Sequence, residues 1–217
     1  MDHSKSQTTE AATYERLSEI AAKLFSEKGY AQTSVRDITT AAECNLAAVN
    51  YHFGSKEKLY EEIFRQMMTR WRQERIHAVE MVMAEIETEN ILEHLLRTFA
   101  FTFVGQFTGS QENGQNATNL FMREIMDPHL PPETFAREIA LPTKRVLGQA
   151  LRQICPQLLE VQIQACLHSF LGQLIHAIHV RRFLGDEKDS QAPFDDLKSF
   201  MEHIVRFTAA GIRDYMK

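Results

Sequence analysis

Asn50, Tyr51 and His52 follow one another in the stretch "NLAAVNYHFGSKEKLY", residues 45–60. An amide, a phenol and an imidazole are all hydrogen-bonding groups, and Ala47 and Ala48 come just before them. On a helix, Val49 and Phe53 are four positions apart and can both point inward. Ala47, Ala48, Asn50, Tyr51 and His52 are then left facing out. Such a face suits the groove of a nucleic acid. Alanines let the helix backbone approach closely, asparagine can pair bidentately with adenine, and alanine can touch a thymine methyl. Tyr51, His52 and Lys56 can reach phosphates on either side. The same spacing also fits a surface helix with an ordinary aromatic rim.

These residues need elements to hold them. "TYERLSEIAAKLFSEKGY" places Leu17, Ile20, Ala21, Leu24 and Phe25 on one helical stripe, with Gly29 as its stop. Thr33 or Ser34 can cap a second helix, and Asp37 sits three residues after Ser34 like the far half of a capping box. Val35, Ile38 and Ala42 give that helix its buried side. Asn45 can cap a third helix over residues 46–53. Ser55 can cap a fourth, striped by Leu59, Ile63, Met67 and Trp71. Two short helices joined by the tight turn "ECNL" make a helix-turn-helix arrangement.

The run "TSVRDITTAAECNLAAVNYHFGSKEKLY" resembles the DNA-binding domain of TetR-family transcriptional regulators, and the likeness covers roughly Tyr14 to Phe64. Its "YHFGSKEKL" tail joins a recognition helix to the next helix in the family's order. Glu43 stands where the family's turn usually has Gly, and Asn50 stands where an aromatic residue is usual. The variant is similar to the subgroup of CecR- and PsrA-type repressors, and "LFMREIMDP" (Leu120 to Pro128) resembles the CecR-type C-terminal domain. The resemblance implies that Ser34 and Arg36 contact phosphate or groove edge. Leu46, Ala47, Ala48 and Asn50 would face the major groove, and Tyr51, His52 and Lys56 would anchor the DNA backbone. It also implies an all-α protein. Residues 1–54 would form the N-terminal arm and DNA-binding domain, and residues 55–217 an effector-binding and dimerisation domain. The expected partners are palindromic operator DNA, a small-molecule effector and a second copy of the chain. The expected role is a repressor released by a mostly apolar molecule.

The remaining chain reads as helical. Ile91, Leu92, Leu95, Leu96, Phe99, Phe103 and Phe107 share a broad apolar face. "TGSQENGQN" (Thr108 to Asn116) reads as a polar loop, and Pro128, Pro131 and Pro132 stop the short helix that follows. Pro142 should kink the next helix. A mobile loop, "GDEKDSQAP", is expected between the last two helices. The phenylalanine cluster is either plain core or a ligand box. Thr98, Thr102 and Gln106 lie on its helix, and Phe121, Met122, Met126, Phe170 and His176 could converge from elsewhere. The effector-lining candidates are Phe99, Phe103, Phe107, Phe121, Met122, Phe170 and His176.

The last two helices are apolar on more than one side, as helices facing both a core and a partner would be. Members of the TetR family typically pair these helices into a four-helix dimer interface. Candidates are Leu171, Leu174, Ile175 and Ile178 on the first, and Met201, Ile204, Val205 and Thr208 on the second. A monomer with fully buried terminal helices would show the same excess.

Composition excludes several classes. Net charge is −5, and residues 1–58 hold seven Lys/Arg against eight Asp/Glu, so DNA contact must rest on a few placed groups rather than bulk charge. Three cysteines without a CxxC pair argue against a disulfide framework and suit a reducing cytoplasm. The N-terminal residues lack an apolar signal region, and no run of about 18 apolar residues suggests a membrane span. His168, His176 and His179 lack a carboxylate or cysteine at ligand spacing, so no metal is expected. No GxSxG, HExxH, Walker or GxGxxG pattern occurs, so neither a cofactor nor an enzyme is expected. Glu124, Asp127 and His129 cluster in "REIMDPH", where capping and turn roles account for the acids. A helical adaptor that binds only protein is the alternative, but it would have no use for the small-residue, Asn-Tyr-His face.

Overall fold

Capping and hydrophobic spacing set the first elements of the computed structural model, which describes residues 3–85, 90–108, 112–184 and 196–217. Among the described residues there are ten α-helices and no strand. They are α1 (His3–Lys28), α2 (Val35–Ala41), α3 (Ala47–Phe53), α4 (Lys56–Met83), α5 (Ile91–Thr108), α6 (Glu112–Met126), α7 (Pro132–Phe135), α8 (Leu141–Ile154), α9 (Glu160–Leu184) and α10 (Leu197–Asp214). None of them is long and apolar enough to cross a membrane. The chain forms two compact units, one of residues 1–70 with 109–138 and the other of residues 71–108 with 139–217.

In the first unit, Leu17, Ala21, Phe25, Ile38, Val49, Leu59 and Phe64 are fully buried. Gly29 ends α1 at φ +85°, a backbone region open to glycine at little cost. Arg123 of α6 then closes the helix end: its Nε donates to the Ser26 carbonyl at 3.1 Å and its Nη2 to that of Glu27 at 2.7 Å. Glu124 beside it is 3% exposed. Its Oε1 accepts the backbone N–H of His129 at 2.8 Å and of Leu130 at 2.7 Å, while its Oε2 accepts the Tyr60 hydroxyl at 2.9 Å. The acid of "REIMDPH" thus pins a turn.

The second unit packs α5 against α9 and α10, and α8 against α9. Leu95, Leu96, Phe99, Phe170, Leu174, Ile204 and Val205 fill its core. Arg97 grips Glu202 through two hydrogen bonds of 2.7 and 2.9 Å, and Arg213 pairs with Glu93.

Three local expectations change. The helix α6 starts at Glu112, inside the stretch that reads as a loop. Its polar residues find partners on the helix and beyond it: the Gln115 amide donates to Asn119 at 3.1 Å, and Asn116 accepts the hydroxyl of Ser26 on α1 at 2.8 Å. On α4 it is Met68, not Met67, that joins the buried stripe, beside Phe64. Near Pro142 the chain makes a π-helical turn, Ala136–Ala140, just before α8, which suits a proline that can donate no N–H and crowds the preceding turn. The expected mobile loop "GDEKDSQAP" lies outside the described residues.

Candidate functional site

The Ser34 hydroxyl and the Asp37 carboxylate close a capping box that starts α2. The Ser34 N–H donates to Asp37 Oδ2 at 2.9 Å, the Ser34 hydroxyl donates to the same oxygen at 2.7 Å, and the Asp37 N–H donates back at 3.1 Å. These bonds hold the Asp37 carboxyl below its usual range. At the other end the Cys44 N–H reaches the Thr39 carbonyl at 2.9 Å. Glu43 sits at φ +51°, the left-handed conformation glycine would take without strain. The N-cap of α3 is Leu46, which offers no side-chain cap; Asn45, expected to cap, stands one position earlier and braces the turn, its Oδ1 accepting the Ala47 N–H at 3.0 Å.

α3 divides as its spacing predicts. Val49 and Phe53 are buried, and Phe53 stacks on Tyr14 with ring centres 4.7 Å apart. Leu46, Ala47 and Asn50 are exposed, Tyr51 is 72% exposed, and Ala48 and His52 are half-buried. Arg36 is exposed on α2. Lys56, the first residue of α4, places its Nζ 4.0 Å from the Tyr30 ring centre, a cation–π contact that holds the ammonium in place. The Tyr30 hydroxyl donates to Glu57 at 2.8 Å; burial, with that carboxylate, pushes the phenol up to about 12. Two hydroxyls of the predicted DNA face already have carboxylate partners: Ser34 has Asp37, and the Tyr51 hydroxyl donates to Glu10 at 3.2 Å.

The effector candidates divide between the units. Phe121 and Met122 are buried in the first, where Phe121 packs on Phe135 at 5.9 Å. Phe99, Phe103, Phe107 and Phe170 form one chain of rings in the second, with successive centres 5.5 to 6.0 Å apart. Trp71 extends it, 4.8 Å from Phe107. Arg75 lies among these rings. His176, expected among the lining residues, is instead exposed on α9.

On α9 and α10, Leu174, Ile204 and Val205 are completely buried within a single chain, and Ile178, Met201 and Thr208 nearly so, while Leu171 and Ile175 are half-buried. The outward side of α10 carries Phe207, 63% exposed. Its ring follows those of His203 and Phe200 in a ladder with 6.1 and 6.3 Å steps. Gly172 on α9 and Gly211 on α10 have open space where a Cβ would lie. His168 has both ring nitrogens engaged, by Lys144 Nζ at 2.7 Å and the Gln164 carbonyl at 2.7 Å.

Residues 18–63 match the profile of bacterial regulatory proteins of the tetR family, and residues 92–212 match that of the HTH-type transcriptional dual regulator CecR, C-terminal domain. The chain is a TetR-family transcriptional regulator with a CecR-type C-terminal domain. It is 28% identical over 114 residues to the probable HTH-type transcriptional regulator YttP of Bacillus subtilis, covering 52% of this chain and 51% of YttP. It is 47% identical over 49 residues to the HTH-type transcriptional repressor KstR2 of Rhodococcus jostii, covering 23% and 24% of the two chains. The chain therefore spans about half the length of YttP and about a quarter of KstR2 in these matches. The transcriptional regulator FadR from Bacillus subtilis, in complex with stearoyl-CoA, shares the fold at a TM-score of 0.66 and 14% identity, covering 91% of this chain and 98% of FadR. These relatives are regulators, and the TetR family is not one of enzymes.

Sequence reasoning about this TetR-family chain missed three residues that the structure brings to the sites. Arg75 continues the Leu59, Ile63, Met67, Trp71 stripe by one further step of four, and a cation on that stripe was the available signal. Glu10 and Tyr30 are remote in sequence from the residues they hold, and no local pattern marks them.

Proposed function

We propose that this TetR-family regulator is a homodimeric repressor that reads a palindromic operator with α3. A small, mostly apolar molecule held in the second unit would release it. One observation carries the DNA-binding part. Ala47 and Asn50 are exposed and Ala48 half-exposed on a tightly turned helix whose buried residues are Val49 and Phe53. A groove needs that combination of a low backbone profile and one bidentate reader. Arg36, Tyr51, His52 and Lys56 then serve the phosphates. The repressor sign draws support from KstR2, and an acyl-bearing effector from the FadR complex with stearoyl-CoA.

Dimerisation supplies what one helix-turn-helix of near-neutral charge lacks. Two copies on a two-fold axis meet half-sites about 34–36 Å apart, or a multiple of that spacing. The outward sides of α9 and α10 suit the contact, with small residues for close approach and Phe207 as an apolar anchor. The Leu171 and Ile175 side chains flank the same side of α9.

Selection of bound DNA from a random pool tests the reading. A two-fold symmetric consensus is expected, and a pool that never enriches would remove the DNA-binding function. Screening acyl-bearing compounds for release of that DNA tests the effector.

A further inference from the structure

Arg75 is 2% exposed, on the part of α4 that belongs to the second unit. Its Nε donates to Gln106 Oε1 at 2.8 Å. Its guanidinium carbon lies 4.3 Å from the Phe103 ring centre and 5.9 Å from that of Trp71. Nη2 is sealed from solvent and has no hydrogen-bond partner among the described residues. A buried charged donor left without an acceptor is costly, more so than a neutral one.

The neighbours do not relieve it. Gln106 is fixed by its own amide, which donates to the Trp71 carbonyl and to Glu74 Oε2, both at 3.0 Å. Its carbonyl therefore points at Nε and leaves Nη2 alone. Glu74 lends the cation some counter-charge, while one of its oxygens already accepts from Gln106. Burial pulls the guanidinium down to about 9, which still leaves it charged at neutral pH. The rings around it provide apolar contact and quadrupole attraction, but no acceptor.

We propose that Nη2 of Arg75 binds the carboxylate of an apolar acid whose hydrocarbon part lies against Trp71, Phe103 and Phe107. The inference rests on the reading that the second unit holds a small effector, and it adds the head group. A carboxylate fits because it brings one negative charge to one cation, with a planar oxygen acceptor for a charge-assisted bond. A dianionic head would bury two charges against the single Arg75 cation. An alcohol or ester would satisfy the N–H and leave the positive charge uncompensated.

Trp71 is the chain's single tryptophan, so its fluorescence reports on this site alone. The full-length protein is titrated with octanoate, laurate and palmitate, then with their methyl esters. The acid of the best-fitting length should bind at least about tenfold tighter than its ester. The variant R75Q should lose that preference by weakening the acid and leaving the ester unchanged, whereas R75K should keep part of it. Equal binding of acid and ester by the wild type would overturn the head-group assignment and leave the effector site standing. Acid preference that persists in R75Q would place the carboxylate elsewhere and overturn it as well. Absence of both a fluorescence change and calorimetric heat with every probe would overturn the assignment and the effector site together. If R75Q does not fold, the wild-type acid-to-ester ratio still decides.

Discussion

Tyr60 of α4 donates its hydroxyl to Oε2 of Glu124 in α6 at 2.9 Å, and Glu124 Oε1 takes the backbone N–H groups of His129 and Leu130. One buried carboxylate thus joins two helices to a turn. Tyr60→Phe leaves one of its oxygens without a donor. Chemical denaturation should show a loss of about 1–3 kcal/mol.

The same phenol sets an alkaline limit. Burial, then the Glu124 charge, push the Tyr60 phenol far above its ordinary value, and Tyr30 is pushed to about 12. Both groups bind their proton more tightly folded than unfolded. Their contribution is complete below pH about 10, where the unfolded phenols titrate, and is lost as pH rises above it. Melting temperature should fall above pH about 10, and Tyr60→Phe should blunt that fall. A variant with the same alkaline slope as the wild type would exclude Tyr60 as its origin.

Glu10 holds the Tyr51 hydroxyl and places a carboxylate beside the proposed DNA face. Phosphate must displace that carboxylate to use the phenol. Glu10→Gln removes the repulsion, and operator affinity should rise about fivefold, roughly 1 kcal/mol. A gel-shift titration at fixed salt reads the change.

Asn50 and Lys56 should fail in different ways. Asn50→Ala should cost about 1–3 kcal/mol at the best site and relax one base pair of the consensus. Lys56→Ala should weaken specific and non-specific DNA alike and lower the salt slope by about one. Swapped behaviour would reverse the roles of base reader and phosphate anchor.

Phe207 is the probe for assembly because its exposed ring can be changed with little effect on the subunit core. Phe207→Glu should yield monomers of unchanged melting cooperativity by light scattering. A persistent dimer would move the interface off α10.

Capping chemistry made the helix-turn-helix legible. Ser34 with Asp37, and Ser55, each announce a helix start from their own side chains, and Asn45 marks the turn just before α3. Periodicity was a weaker guide where a helix is apolar on two sides. On α9 and α10 the most regular stripe, through Leu174, Ile204 and Val205, faces the chain's own core, and spacing alone does not tell core from partner. Contacts remote in sequence left no local trace. Glu10 with Tyr51, Tyr30 with Lys56, and Gln106 with Arg75 become neighbours only through folding. The start of α6 was hidden because Gln115 and Asn116 are loop formers by composition; on the helix Gln115 bonds Asn119, and Asn116 is held by Ser26 of α1, a partner remote in sequence.

Residues 109–138 belong with residues 1–70, although the first stretch of the second unit comes between them in the chain. On the ribosome, α1 emerges long before Arg123, which caps it, and α4 long before Glu124, which receives Tyr60. The helix-turn-helix unit therefore cannot finish folding when its own N-terminal stretch is complete; it waits for a later part of the message. A fragment cut at residue 70 would carry every residue proposed to touch DNA and still lack the clasp that secures two of its helices.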